Sequence, residues 1–228
     1  MQPYFLPYIG YFQLINVADK FVVYDNIKFT KKGWINRNRI LANGQDEYIT
    51  LPLKKDSDYL NVVDRNLSDQ FTEESKKMLR KIEACYRKAP QFENVFPLLE
   101  KIILHHNTNL FSYIQNSLVL ICERLNIKTE IIISSTVPID HSLKSQDKVI
   151  AICKALGATE YVNPIGGVEL YDREVFSSHG ITLQFLQSEM LLYKQLNNEF
   201  VPWLSILDVL MFNSVEEIHQ MLGSIKLV

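Results

Sequence analysis

A lone carboxylate in an apolar run is the first place where this chain could do chemistry. Asp208 is the only charged residue in Phe200-Val201-Pro202-Trp203-Leu204-Ser205-Ile206-Leu207-Asp208-Val209-Leu210-Met211-Phe212-Asn213. A carboxylate in such surroundings is costly unless paired. It is therefore either tied to a cation or hydroxyl, or it is the acid/base group of a site. A second group runs from Asn26 to Arg39 and holds Lys32, Trp34, Asn36 and Arg37. Arginine offers a bidentate fork to a phosphate, and tryptophan a flat stacking surface, so this stretch suits an anionic ligand with a flat ring. A third is the opening, Gln2-Pro3-Tyr4-Phe5-Leu6-Pro7-Tyr8-Ile9-Gly10-Tyr11. Here Tyr4, Tyr8 and Tyr11 carry polar tips that need partners, in a core or in a cleft.

The elements that must position these groups read as an α/β protein. A Pro-punctuated turn leads into a helix over 8–16 and a buried strand over 20–24. From Trp34 to Leu41, period two places Trp34, Asn36, Asn38 and Ile40 on one face. Asn43-Gly44 is a hairpin turn, and Glu47 to Leu53 returns. Thr72, with two glutamates behind it, is expected to cap a helix ending before Pro90. Apolar spacing predicts two more helices, over 92–105 and 110–125. Adjacent His105 and His106 would point about 100° apart on a helix, a poor arrangement for one metal. Strand, helix, strand, helix, strand follow from Lys128 to Leu186, with a tight turn at Pro164-Ile165-Gly166-Gly167. That alternation predicts a parallel sheet. In such sheets ligands sit beyond the carboxyl ends of the strands, where Asp25, Ser134, Asn163 and the loops carrying Lys144, Gly166 and Gly167 fall. One oddity is that the turn at residue 2 has no strand residues ahead of it.

The expected architecture is a parallel-sheet, Rossmann-like core over 1–70 and 126–228, with a β-hairpin at 34–53 and an inserted helical subdomain at 71–125. The chain of 228 residues is 47% hydrophobic and 22% charged, with net charge −2. This gives no support for nucleic-acid binding. It has no apolar run of membrane-spanning length and no basic-then-apolar leader, so a cytoplasmic protein is expected. Three isolated cysteines suit free thiols in a reducing compartment.

Five stretches together resemble the WbqC-like family. They are the opening through Ile15, Lys32-Gly33-Trp34-Ile35-Asn36-Arg37-Asn38-Arg39-Ile40, Leu143-Lys144-Ser145-Gln146-Asp147, Asn163-Pro164-Ile165-Gly166-Gly167 and Pro202-Trp203-Leu204-Ser205-Ile206-Leu207-Asp208. The resemblance spans essentially the whole chain. It implies N-acylation of an amino sugar carried on a nucleotide, in the biosynthesis of bacterial O-antigen or another surface polysaccharide. Phe5 to Tyr11 is also similar to the opening of the nucleotidyltransferase superfamily. There two histidines stand where this chain has Tyr8 and Tyr11, and tyrosine cannot supply an imidazolium-like charge. That likeness implies a nucleotidyltransferase-like fold with the phosphoryl chemistry lost or replaced.

Acylation of an amine needs a base for its proton and donors for the carbonyl oxyanion. On the acyltransferase reading His141 is the first candidate base, Asp208 the second and Asp25 the third. Gln2, Tyr4, Tyr8, Tyr11, Lys32, Trp34, Asn36, Arg37, Ser134, Lys144, Asn163, Gly166 and Gly167 are the expected binding set. The expected donor is acetyl-CoA or another acyl-CoA, and no metal is expected. Expected partners are a dTDP- or UDP-linked amino sugar and a second copy of the chain in a homodimer. A non-catalytic nucleotide-sugar binding protein is the alternative.

Overall fold

A computed structural model describes residues 1–196 and 199–228. Helix α1 (Ile9–Val17) follows the opening turn and feeds β1 (Lys20–Val23). The hairpin is β2 (Arg37–Ala42) and β3 (Gln45–Thr50). Asn43 and Gly44 both adopt positive φ, 52° and 77°. That backbone matches the twist of the flanking strands, so the register is set by the turn.

Helices α2 (Phe71–Tyr86), α3 (Phe92–Ile103) and α4 (Leu110–Arg124) follow, packed in sequence on one another. The predicted bounds need three corrections. The N-cap of α2 is Gln70, and Thr72 lies in its first turn. His105 and His106 lie in the loop after α3, so helical spacing does not describe them. The Pro164–Gly167 stretch is not a tight turn but leads into a 3-10 helix at Ile165–Leu170. One apolar core joins this helical block to α1, the hairpin and α7 (Ile206–Phe212).

Strand β4 (Glu130–Ile133) pairs parallel to β1. Helix α5 (Ser145–Ala155) then leads to β5 (Glu160–Pro164), closing on Gly157 at φ 67°, a left-handed end that glycine adopts without strain. After α6 (Arg173–Ser178), β6 (Thr182–Ser188) pairs parallel to β5. The apolar tail shortens to α7, capped by Ser205. A Ser214–Glu217 capping box starts α8 (Val215–Gly223), and β7 (Ile225–Leu227), which no sequence pattern announced, adds antiparallel to β6. A second, smaller core joins α5, α6 and β6. The result is a mixed α/β protein with two parallel strand pairs. Residues of β1 and β5 line a common cavity of about 350 Å³. No helix among the described residues is long and apolar enough to cross a membrane.

Candidate functional site

Parallel strands turn their carboxyl ends the same way, and four polar residues gather where β1 and β4 stop. Asp25 is buried and accepts from the Ser135 amide at 3.0 Å on Oδ1. Ser134, the first residue past β4, places its Oγ 3.0 Å from that same oxygen and 2.6 Å from Asn26 Oδ1. Asn26 Nδ2 lies 3.0 Å from His141 Nδ1, and His141 Nε2 lies 3.0 Å from the Val137 carbonyl. A carbonyl can only accept, so Nε2 carries the proton and Nδ1 the lone pair. The Asn26 amide then donates to His141 and accepts from Ser134, which fits both neighbours. The one hydrogen of the Ser134 hydroxyl is shared between the Asp25 and Asn26 oxygens, so the carboxylate, the serine, the amide and the imidazole form one cluster through a three-centre bond.

The end of β5 joins this cluster from the other side. Burial first, then nearby Tyr171 and Cys153, push the Tyr24 phenol well up, so it stays protonated at neutral pH. Lys148 Nζ stands 5.4 Å from the Tyr24 ring centre. Gln146 accepts from the Asp172 amide, tying the first turn of α5 to the loop after β5. Lys144 is the N-cap of α5 and gives it no side-chain cap, which leaves backbone N–H groups for an anion or water. Asn163 is held by the Tyr161 hydroxyl at 3.1 Å and packs on Gly167, where a Cβ would fall 2.0 Å from Asn163 Nδ2. A Cβ added at Gly166 would meet nothing within 4 Å. Gln2 arrives at the same end, since the preceding carbonyl, that of Met1, accepts from the Tyr24 amide. The Tyr4 hydroxyl donates to its side chain and the Tyr11 hydroxyl to its backbone.

Other expected site residues lie elsewhere. Asp208 is fully buried and accepts from the Tyr86, Tyr193 and Gln195 side chains at 2.7–2.8 Å. Burial raises its pKa and the three donors lower it, with the net shift upward. The carboxylate is thus tied to two hydroxyls and a side-chain amide. Asn36 is buried and donates to Leu51, bracing the hairpin. Tyr8 packs edge-on to Trp203 at 6.1 Å. Trp34 stacks on Tyr48 at 6.1 Å and 23°, with Arg37 over Tyr48 and Arg39 over Trp34. Arg37 also donates to the Gly33 and Lys32 carbonyls. Among the described residues, no hydrogen bond, ion pair or ring contact joins Lys32, Trp34 or Arg37 to the Asp25–His141 cluster.

The opening turn is instead clamped by the other motifs. Leu6 sits at φ 44°, rare for a branched residue. Its carbonyl accepts from Asn38 Nδ2 and from Ser205 Oγ, both at 2.8 Å. Sequence reasoning did not single out Asn26, Gln146, Lys148 or Tyr171. Lys148 was findable, since it lies four residues after Lys144 on one helix face. Asn26 had only its place next to Asp25. Among the described residues, no group of three His, Cys, Asp or Glu side chains could hold a metal ion.

The model of the WbqC-like protein family matches residues 2–220. A Mycobacterium tuberculosis (strain ATCC 25618 / H37Rv) protein named "Uncharacterized protein Rv1507c" is 32% identical over 214 residues, covering 92% of this chain and 90% of that protein. No solved structure matches.

Proposed function

The chain belongs to the WbqC-like protein family, and on that footing we propose that it is an N-acyltransferase acting on a nucleotide-linked amino sugar in surface-polysaccharide biosynthesis, with acetyl-CoA or another acyl-CoA as donor. The observation that carries the reading is the hydrogen-bonded cluster of Asp25, Ser134, Asn26 and His141, set at the ends of two parallel strands. A lone pair on His141 Nδ1 is what an incoming amine needs. The amine displaces the Asn26 N–H and attacks the thioester carbonyl. The new C–N bond forms, the C–S bond breaks, and the amine proton passes to Nδ1 and then to the departing thiolate. Lys144, Lys148 and the uncapped start of α5 hold the phosphates. Gly166 and Gly167 bring backbone amides to the ligand, and Tyr4 stacks on its base or sugar. The proposed setting is the cytoplasm, where nucleotide sugars and acyl-CoA meet.

One feature favours a second reading. Both His141 nitrogens are engaged, which suits a rigid binding site as well as a base. A nucleotide-sugar binding protein without turnover is the alternative. Nucleotidyl transfer gains no support, because the Tyr11 hydroxyl is spent on the Gln2 carbonyl in the core.

The deciding experiment incubates the purified chain with acetyl-CoA and a panel of dTDP- and UDP-amino sugars and measures free thiol. Turnover is expected, with His141→Ala lowering kcat at least about 100-fold. Absence of thiol across the panel, together with a ligand-induced rise in Tm, selects the binding protein.

A further inference from the structure

Arg65 is a buried cation whose charge is only partly answered. Its side chain is 5% exposed, and its Nε has no hydrogen-bond partner among the described residues. Its guanidinium carbon sits 4.5 Å from the centre of the Phe29 ring, and Nη2 donates to the Ser57 carbonyl at 2.8 Å. A cation taken out of water is costly unless an anion and hydrogen bonds compensate it. The carboxylate that faces it is Asp58, whose Oδ1 stands 4.0 Å from Nη2, beyond hydrogen-bond reach.

Two lysines converge on the same carboxylate. Lys31 Nζ reaches both Asp58 oxygens, at 2.7 and 2.8 Å. Lys28 Nζ stands 4.3 Å from the ring centre of Tyr59, the next residue. The Lys31 hydrogen bond first, then the charges of Lys31, Arg65 and Lys28, hold the Asp58 carboxyl below its ordinary value. Lys28, Lys31, Asp58 and Tyr59 are all exposed, so this carboxylate can leave its cations with little loss of stability. The group also adjoins the Asp25–His141 cluster. The Val63 and Val62 amides donate to the Asp25 and Ile27 carbonyls, and the Phe29 amide donates to the Leu60 carbonyl, so residues 25–29 run alongside 60–63. Lys28 is three residues from Asp25, which puts their Cα atoms within about 11 Å of each other.

We propose that Lys28, Lys31 and Arg65 form a diphosphate-binding site in which Asp58 holds the place of the ligand. A carboxylate and a phosphate offer a cation the same thing, anionic oxygens carried on one centre. Displacing Asp58 turns three cations toward two phosphate groups, and Tyr59, 81% exposed, supplies a ring beside them. A diphosphate brings the hydrogen-bond acceptors and the charge that Asp58 does not bring to Arg65. In one respect the inference rests on the acyltransferase reading. Both substrates of that reaction, the acyl-CoA and the nucleotide-linked sugar, carry a diphosphate. The start of α5 holds one of them, and this site holds the other.

The test titrates the full chain with pyrophosphate, coenzyme A and UDP by calorimetry. For pyrophosphate, a Lys144→Gln/Lys148→Gln background removes the side-chain cations of α5. In that background Lys28→Gln/Lys31→Gln is expected to weaken pyrophosphate at least about tenfold. Asp58→Asn removes the competing carboxylate and is expected to tighten it about fivefold. An ion pair with a purely structural role predicts no tightening, so unchanged or weaker binding in Asp58→Asn overturns the site. In the otherwise native chain, a tenfold loss of coenzyme A in Lys28→Gln/Lys31→Gln assigns the site to the acyl donor, and a tenfold loss of UDP assigns it to the nucleotide sugar. Weakened pyrophosphate with coenzyme A and UDP both unchanged means an adventitious anion only and overturns the proposal. No thiol release, with these binding changes intact, overturns the acyltransferase reading and leaves the site standing.

Discussion

The Asp208 carboxylate accepts a 2.7 Å hydrogen bond from the Tyr193 hydroxyl, fifteen residues back along the chain. Tyr86 and Gln195 donate to it as well, and Tyr86 in turn accepts from the Leu41 amide of the hairpin. One buried carboxylate thus ties α2, α7, the hairpin and the segment before α7. Removing it leaves three donors without an acceptor, at about 1–3 kcal/mol for each one that finds no other partner. Asp208→Ala is expected to lose about 3 kcal/mol or more, a fall in Tm on the order of 10 °C. An unchanged Tm, with acyl transfer lost, would return Asp208 to the active site.

Asp208 also fixes the sign of a pH effect. Burial holds its folded-state pKa above the ordinary 3.8. The folded chain therefore keeps a proton that the unfolded chain releases. The stability contributed by this proton is full below the unfolded pKa and is lost as pH rises through the folded one. Asp208→Asn cannot titrate. The stability of wild type relative to this variant is expected to fall as pH rises from about 4 and to level off above the folded pKa. Denaturant melts of both proteins across that range measure it, and a difference that grows with pH refutes the assignment.

The opening turn gives a test in which two effects compete. Leu6→Gly relieves a left-handed backbone, worth about 1 kcal/mol, but it empties a fully buried leucine site. Large-to-small changes at such sites cost about 2–5 kcal/mol, so the variant is expected to be less stable. Asn38→Ala removes both amide donations, to the Phe5 and Leu6 carbonyls. A loss of about 2 kcal/mol is expected, measured by chemical denaturation. Gain of stability in Leu6→Gly would show that the strain, not the packing, governs this turn.

Much of this was readable beforehand, and for identifiable reasons. Asn43-Gly44 fixed the hairpin because few residue pairs adopt positive φ together. The parallel pairs followed from strand–helix alternation, and the strand-end location of Asp25, Ser134 and Asn163 followed from that. Contacts between distant segments were not readable. Nothing local told that Asn38 would hold Leu6, that Tyr193 would hold Asp208, or that Asn26 would face His141 across 115 positions. The Lys-Trp-Arg content of the hairpin stretch suggested ligand chemistry. In the fold Arg37 lies over Tyr48 and Arg39 over Trp34.

The glycine pair separates packing from ligand approach. Gly167→Ala drives a Cβ into Asn163 and should displace that side chain, with a Tm loss of several degrees. Gly166→Ala meets open space and has no positive φ to strain. Its Tm should stay within about 1 °C of wild type. A fall in nucleotide-sugar affinity for Gly166→Ala, at unchanged Tm, places the ligand against this loop. Unchanged affinity removes Gly166 from the binding set.

The buried Met1 amine makes a prediction that needs no ligand. Its folded pKa, about 5, lies below the ordinary 8.0 because burial penalises the ammonium. A depressed folded pKa means that the unfolded chain binds the extra proton. The contribution to stability is present above pH 8 and is lost as pH falls through about 5. Acetylation of this nitrogen substitutes an amide that donates to Val22 without a charge to desolvate, and it adds two carbons to the cavity lined by Leu14, Val17 and Phe21. The acetylated chain is expected to melt higher than the free-amine chain at pH 6, with the gap narrowing toward pH 9. Thermal melts of the two forms at both pH values measure this. A gap that is the same at both pH values means that the amine does not titrate between folded and unfolded states, and that the nitrogen is solvated rather than buried beside β1.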